Sequence, residues 1–334
     1  MIFFIVAFLL TLLLTPVAMR LAHKLGIVDH PNGTLKKHHT PTPYLGGVAV
    51  FISVFAPVFV LNNEAFLNTE YLGLFLGGLI IVFGGLVDDR RPLDPVFKIC
   101  FQMAAAICAG YSGLHTTFNG SLVFDYALTL LWIIGGINSF NLIDIMDGLA
   151  SGVAAISAMF LGFLFLLKGE IFYCSLLFSL SGACLGFLRF NFNPARIFLG
   201  DAGSQMLGYL LFCLALKWSS DEDFGHRLFI PLFILAIPIF ETFFVSVMRL
   251  KSRSSPFRGS NDHFALRMVN VGLSIKVTVG LALLCSAILG LGALLILRYD
   301  AASYFIIGIS LMFVLVISLR LGEIDMTVAR EESV

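Results

Sequence analysis

The stretch Ala127-Leu-Thr-Leu-Leu-Trp-Ile-Ile-Gly-Gly-Ile137 runs uncharged into Asn138-Ser-Phe-Asn141-Leu-Ile-Asp144-Ile-Met-Asp147-Gly148, and a second apolar run, 153–167, leaves it. Four amide or acidic side chains, three residues apart, thus stand between two segments suited to hydrocarbon. Such groups are costly in a bilayer, so they belong at a water boundary or in a protein-lined site. Asp88-Asp89 and Asp201 occupy similar apolar-to-polar junctions. Three acidic junctions point to a metal and phosphate site at a membrane surface.

Composition sets the frame. Of 334 residues, 58% are hydrophobic and 13% charged, where a soluble domain carries about a quarter charged residues. Mean hydropathy is +0.95. A helical span needs about 20 apolar residues. Such runs lie near 1–19, 44–62, 71–87, 96–112, 127–141, 149–167, 171–188, 203–218, 228–248, 276–297 and 302–319. The expected fold is an all-α polytopic membrane protein of about eleven transmembrane helices, one domain over 1–334, with no independently folding soluble part. A soluble protein with a very apolar core does not account for so many long runs.

Lys and Arg set the orientation. With the N-terminus outside, only Lys168, Lys217, Arg227 and Arg298 of the 21 basic residues fall on the outer side. The acidic junctions and the C-terminus are then cytoplasmic. Arg20 follows the first apolar run directly, without a small-residue cleavage site, so that run reads as a retained span. The six cysteines sit in apolar segments without Cys-x-x-Cys spacing and read as packing residues. In the outer stretch 112–126, Asn119-Gly120 could turn a short hairpin.

The inner loops carry the chemistry. The first reads Val28-Asp29-His-Pro31, then Lys36-Lys37-His38-His39-Thr-Pro41-Thr-Pro43-Tyr-Leu-Gly46-Gly47. Clustered Lys and His suit a phosphate-bearing partner, although on this loop alone an anchor touching lipid headgroups is the favoured reading. Asp88-Asp89 ends an apolar run, with Lys98 nine residues on and Gln102 one turn beyond. Adjacent carboxylates repel, so a site that keeps both near a membrane offers a cation or a proton; a salt-bridged turn with Arg90 and Arg91 is the plain alternative. On a helix, Asn138, Asn141, Asp144 and Asp147 would drift slowly round one side, with oxygen ligands suited to Mg²⁺. Capping ahead of Gly148 is the structural alternative for Asp147. Gly200-Asp201-Ala-Gly203 places a carboxylate on a turn before a helix, as ligand or as N-cap. The last inner loop combines several cations with Asp262-His263 and Arg267.

Asp29-x-Pro31, Pro41-Thr-Pro43-x-x-Gly46-Gly47, Asp88-Asp89 with Lys98, and Asn138-x-x-Asn141-x-x-Asp144-x-x-Asp147-Gly148 are followed by Asn193-Pro-Ala-Arg-x-Phe-x-Gly200-Asp201-x-Gly203-Ser204 and Asp262-His263. Together, in this order over residues 29–267, they resemble the polyprenyl-phosphate N-acetylhexosamine-1-phosphate transferases. That family includes bacterial enzymes that start O-antigen, enterobacterial common antigen and teichoic acid linkage units, and the translocase of peptidoglycan synthesis.

The resemblance implies transfer of N-acetylhexosamine-1-phosphate, GlcNAc-1-phosphate first, from a UDP-sugar to undecaprenyl phosphate, with release of UMP. It implies a multi-pass protein of the bacterial plasma membrane, in contact with lipid and without a nucleic-acid partner; a homodimer is left open. By likeness, Asp201 and Asn141 hold Mg²⁺, for which Mn²⁺ could substitute. Lys98 contacts the pyrophosphate. Asp88 accepts a proton from the lipid phosphate or positions it, supported by Asp89. Asp147 meets the uracil and Asp144 completes that wall, and Asn138, on the same ridge, is a further substrate-binding residue. Lys36 and His38 match the basic pair of the first loop. Asp262, His263 and Arg267 clamp the diphosphate or sugar. Direct attack is favoured over a covalent Asp88 intermediate, because the lipid phosphate is already ionised near neutral pH.

Two departures bear on substrate choice. The peptidoglycan translocase has three consecutive histidines in the last loop, whereas His263 is followed here by Phe264. Where many GlcNAc-selecting relatives have a second His, this chain has Ala265, Leu266 and Arg267. This argues against a muramyl-pentapeptide substrate. The first loop is one residue longer than the family pattern, so Lys37 competes with Lys36. The alternative from another class is a multi-span transporter binding ions or substrate through these acidic residues; it would want ionisable groups at mid-bilayer, where only Glu241 qualifies. A CDP-alcohol phosphotransferase would need Ala-Arg where Ser151-Gly152 stands.

Overall fold

The apolar runs fold as helices because a chain in hydrocarbon must satisfy every backbone group within itself. The computed structural model describes residues 1–29, 41–62, 68–117, 121–220, 225–251, 262–324 and 326. In chain order the helices are α1 (Ile2–Leu25), α2 (Gly46–Leu61), α3 (Thr69–Arg90), α4 (Pro95–Tyr111), α5 (Leu122–Ile143), α6 (Leu149–Leu167), α7 (Ile171–Asn191), α8 (Gly200–Ser220), α9 (Phe229–Ile234), α10 (Ala236–Lys251), α11 (Phe264–Asn270), α12 (Ile275–Arg298) and α13 (Asp300–Gly322). One short antiparallel pair, β1 (Val28–Asp29) with β2 (Thr42–Pro43), ties the ends of the first loop, Val28 opposite Pro43.

Local chemistry places the ends. Asn68 caps α3 through the Tyr71 amide at 3.0 Å. Asp94 caps α4 through the Val96 amide at 2.9 Å, and Pro95 occupies the first helical position, where its missing N–H costs nothing. Ser274 caps α12 through the Val277 amide.

Every expected apolar segment is helical, with one correction to the expected spans. The segment 228–248 is two helices, α9 and α10, bent by 82°. Pro238, in the first turn of α10, has no N–H to offer the Ile234 carbonyl, so α9 stops and a new helix begins. By length and apolarity, seven of the described helices can cross a membrane, and the bent pair makes an eighth. α2 and α4, at 16 and 17 residues, fall short of that criterion. The hairpin expected at Asn119-Gly120 lies outside the described residues.

α8 is the central post. It is buried from Ala202 to Trp218 and packed against α2, α3, α5 and α6. α7 lies against α1 and α6. Its Gly182 and Gly186 let α1 approach so closely that a side chain at Gly182 would strike the Phe4 carbonyl. α13 lies outermost, with Ser303 and Ile307 its buried residues.

Asn191, the last residue of α7, bonds three elements together. Its Oδ1 accepts from the Gly148 amide (3.1 Å) and the Ser151 hydroxyl (2.9 Å), and its Nδ2 donates to the Ile197 carbonyl (3.0 Å). It is 3% exposed, so Asn191→Ala strands three buried polar groups. The expected cost is about 2–4 kcal/mol, read as a lower midpoint of thermal unfolding in detergent.

Candidate active site

α3 ends in Asp88 and Asp89, and the turn into α4 folds back because the Leu93 amide donates to Asp88 Oδ1 at 2.7 Å. Lys98, in the first turn of α4, then reaches both Asp88 Oδ2 (2.6 Å) and Asp201 Oδ2 (2.9 Å). One ammonium is thus shared by carboxylates from two distant parts of the chain, at the start of α8 and the end of α3. Asp89 has another job. Its carboxylate accepts the backbone N–H groups of Asp201 (2.8 Å) and Ala202 (3.4 Å), the orphan donors at the head of α8. The plain N-cap reading of Asp201 is therefore corrected: the cap of α8 comes from α3. Gly200, at φ +71°, leaves room for that carboxylate, which a side chain would strike.

Asn141, in the last turn of α5, donates to Asp201 Oδ1 (2.9 Å) and to the Ser204 hydroxyl (3.1 Å). Asn138, one turn earlier, bonds Gln102 instead, at 2.8 Å. The idea of one helical ridge holds only for this pair. α5 ends at Ile143, and Asp144–Gly148 is a turn, closed by Gly148 at φ +81°. Asp144 is the C-cap of α5. Burial, and then the negative charges of Asp201 and Asp147, push its carboxyl up to about 8. Asp147 does not cap α6; its Oδ2 accepts from Asn193 Nδ2 and from the Ala195 amide, both at 2.9 Å.

These groups floor a cleft of about 1030 Å³, lined by Asp88, Asp89, Asn141, Asp144, Asp147 and Asp201. Tyr44 and Phe198, their rings 5.8 Å apart, form another part of its wall. Burial and the hydrogen-bonded Asp29 carboxylate push the Tyr44 phenol above its usual range. Leu266 and Val269 of α11 also line the cleft.

The last-loop residues do not join this cluster. Arg267 is 5% exposed, paired with Asp262 at 3.0 Å, and donates to the Leu321 and Ile324 carbonyls at the end of α13. A guanidinium held this way is a tie between α11 and α13, which corrects its reading as a substrate clamp. His263 Nδ1 lies 2.6 Å from Glu241 Oε1, and the Phe264 amide reaches Glu241 Oε2 at 3.3 Å. Glu241, read from sequence as a lone mid-span charge, is thus paired and wholly buried. Lys36 and His38 lie outside the described residues.

Sequence reasoning passed over Gln205, Ser204 and Asn191 as contributors. The usable signal was spacing: Gln205 follows Asp201 by four residues, as Gln102 follows Lys98. As for a metal, no three His, Cys, Asp or Glu among the described residues form a cage. The donor set is nonetheless right for Mg²⁺, which takes one or two carboxylates and leaves its other positions to water and phosphate. Asp201 and Asn141 offer oxygen ligands at the cleft floor, where two carboxylates already draw in a cation, the Lys98 ammonium.

A family model described as glycosyl transferase family 4 matches residues 71–219, the stretch from α3 to α8 that holds every charged group of the cluster. A Bacillus subtilis (strain 168) protein named probable undecaprenyl-phosphate N-acetylglucosaminyl 1-phosphate transferase is 34% identical over 326 residues, covering 94% of this chain and 90% of the relative. The decaprenyl-phosphate N-acetylglucosaminephosphotransferase of Mycobacterium tuberculosis (strain H37Rv) is 30% identical over 83% of this chain and 77% of its own length. The undecaprenyl-phosphate alpha-N-acetylglucosaminyl 1-phosphate transferase of Escherichia coli (strain K12) is 26% identical over 84% and 80%. With likeness running almost end to end and the cluster inside the matched stretch, the chain belongs to glycosyl transferase family 4.

Proposed function

We propose that this protein transfers N-acetylglucosamine-1-phosphate from UDP-N-acetylglucosamine to undecaprenyl phosphate and releases UMP. The observation that carries the reading is the Lys98 ammonium between Asp88 and Asp201 on the floor of a cleft large enough for a nucleotide sugar. The names of the relatives support the sugar and the prenyl phosphate.

An oxygen of the lipid phosphate attacks the β-phosphorus of the donor. The bond from that phosphorus to the bridging oxygen breaks, and UMP leaves with the electron pair. Two anionic groups must meet, so the site's task is to offset their repulsion and align them. Asp201 and Asn141 are the residues that would hold Mg²⁺, which would supply positive charge to the diphosphate. Lys98 adds charge beside them, and Asp88 positions the lipid phosphate or takes its proton. Asp89 keeps the head of α8 in place. Asp147 and Asp144 form the wall for the uracil, with Asp147 held by the turn at Asn193–Ala195. Attack is direct, without a covalent enzyme intermediate.

All eleven apolar segments cross the bilayer in this reading, with the N-terminus outside and the cleft on the cytoplasmic face of a bacterial plasma membrane. The product is a lipid-diphosphate-sugar that starts a cell-surface polysaccharide. In the test, purified protein receives undecaprenyl phosphate, Mg²⁺ and in turn UDP-GlcNAc, UDP-GalNAc and UDP-MurNAc-pentapeptide. UMP release is expected with UDP-GlcNAc, lost in EDTA and restored by Mg²⁺ or Mn²⁺. No UMP from any donor would overturn the reading and favour transport.

A further inference from the structure

Directly beneath the charged cluster lies a second layer made wholly of amides. Three helices contribute one residue each to both layers. α4 supplies Lys98 and, four residues on, Gln102; α5 supplies Asn141 and, three residues back, Asn138; α8 supplies Asp201 and, four residues on, Gln205. In each case the amide sits one turn further from the charged cluster, about 5–6 Å along the helix; Gln102 and Gln205 are buried there, whereas Asn138 stands on an exposed side of α5.

The amides form a bonded chain that ends on the metal carboxylate. Gln205 Nε2 donates to Asp201 Oδ2 at 3.3 Å. Gln102 Nε2 donates to Gln205 Oε1 at 3.2 Å and to Asn138 Oδ1 at 3.4 Å. Asn138 Nδ2 returns a bond to Gln102 Oε1 at 2.8 Å and donates to the Ile134 carbonyl at 2.8 Å. Gln102 is 2% exposed and Gln205 5%, among Ala105, Ala106, Ile137 and Met206, which are fully buried. A buried amide in such surroundings is costly unless bonded, and an apolar residue of the same volume would fill the space without that cost.

We infer that Gln205, Gln102 and Asn138 are positioning residues that fix the Asp201 carboxylate for its cation. Asp201 Oδ2 already takes the Lys98 ammonium. A second charged donor there would cancel the carboxylate and leave nothing to attract a metal. The neutral Gln205 amide orients the same oxygen and preserves its charge. Gln102 in turn holds the Gln205 carbonyl, so that its NH₂ end faces Asp201. The inference rests on the reading of Asp201 as a metal residue.

The test is Mn²⁺ binding to the purified full-length protein, followed by electron paramagnetic resonance, so the readout is independent of turnover. Gln205→Met keeps the volume and removes the donor. The dissociation constant is expected to rise roughly 10- to 100-fold, as for the loss of an outer-shell partner. Gln102→Met should move it in the same direction, and the double variant should be no weaker than Gln205→Met alone, because both break one chain. Gln205→Asn, an amide one methylene too short to reach Asp201, gives the same result should the Met variant fail to fold. Asp201→Asn separates the two readings. If it binds Mn²⁺ like the parent protein, the metal assignment fails and the inference falls with it. If it abolishes binding while the Gln205 and Gln102 variants bind normally, only the inference is overturned.

Discussion

Asp201→Asn is expected to slow transfer at least about a thousandfold while the protein still inserts and folds. Both oxygens of this carboxylate are engaged. Oδ1 takes Asn141 Nδ2, and Oδ2 takes Lys98 Nζ and Gln205 Nε2, with distances from 2.9 to 3.3 Å. An Asn in its place must turn its own NH₂ toward one of these donors, so one contact becomes donor against donor. The negative charge is lost as well, which leaves Lys98 facing Asp88 alone. The damage is confined to the cleft floor, because the cap of α8 is supplied by Asp89 and does not depend on the Asp201 side chain. UMP release at saturating donor and acceptor measures the rate, and the thermal midpoint in detergent checks the fold. A rate within tenfold of the parent protein would remove Asp201 from the chemistry.

Much of this site was legible in sequence, because charge at the end of an apolar run must be used or neutralised. Asp88, Asn141 and Asp201 stand at such junctions, and the structure brings them into one bonded set with Lys98. What stayed hidden depends on groups that sequence does not display. The partners of Asp89 are backbone amides 112 and 113 residues away. Gln205 carries no charge and inside an apolar helix reads as filler, while Gln102 stands out only as the residue one turn beyond Lys98. Arg267 reads as a clamp only by the family resemblance. Besides Asp262, its partners are carbonyls at the end of α13, which belong to any residue type. The helical reading of Asn138–Asp147 failed for a different reason. Asn191 binds the Gly148 amide, and that tie supports a turn where the three-residue spacing alone suggests a helix.

Gly85→Ala is expected to lower the transfer rate about 100-fold, although it adds only one methyl. Gly85 lies on α3, three residues before Asp88, and a Cβ there would overlap Ala202 N and Cα and come within 2.7 Å of the Asp201 carbonyl carbon. On the other side, a Cβ at Gly47 of α2 would overlap Gly203 N and Cα. The first turn of α8 is therefore gripped between two helices, backbone against backbone. Amide bonds from Gly46 to the Phe198 carbonyl (3.1 Å) and from Gly47 to the Leu199 carbonyl (3.0 Å) pin the approach to it. No flexible side chain is available to yield, so the methyl must push α8 off α3. The casualties are the two amide bonds to Asp89 and the 2.9 Å contact between Lys98 and Asp201. A shift of about 1 Å at a reacting centre can lower a rate about 100-fold, and overpacking of this kind typically costs about 1–3 kcal/mol of stability. Gly78→Ala on the same helix is the control. Its Cβ would meet the ring edges of Phe51 at 3.2 Å and Phe55 at 3.7 Å, which can give way, so its rate should stay within a few-fold of the parent. Equal rates for the two variants would mean that α8 can leave α3 without disturbing Asp201, and the close glycine contact would then serve packing alone.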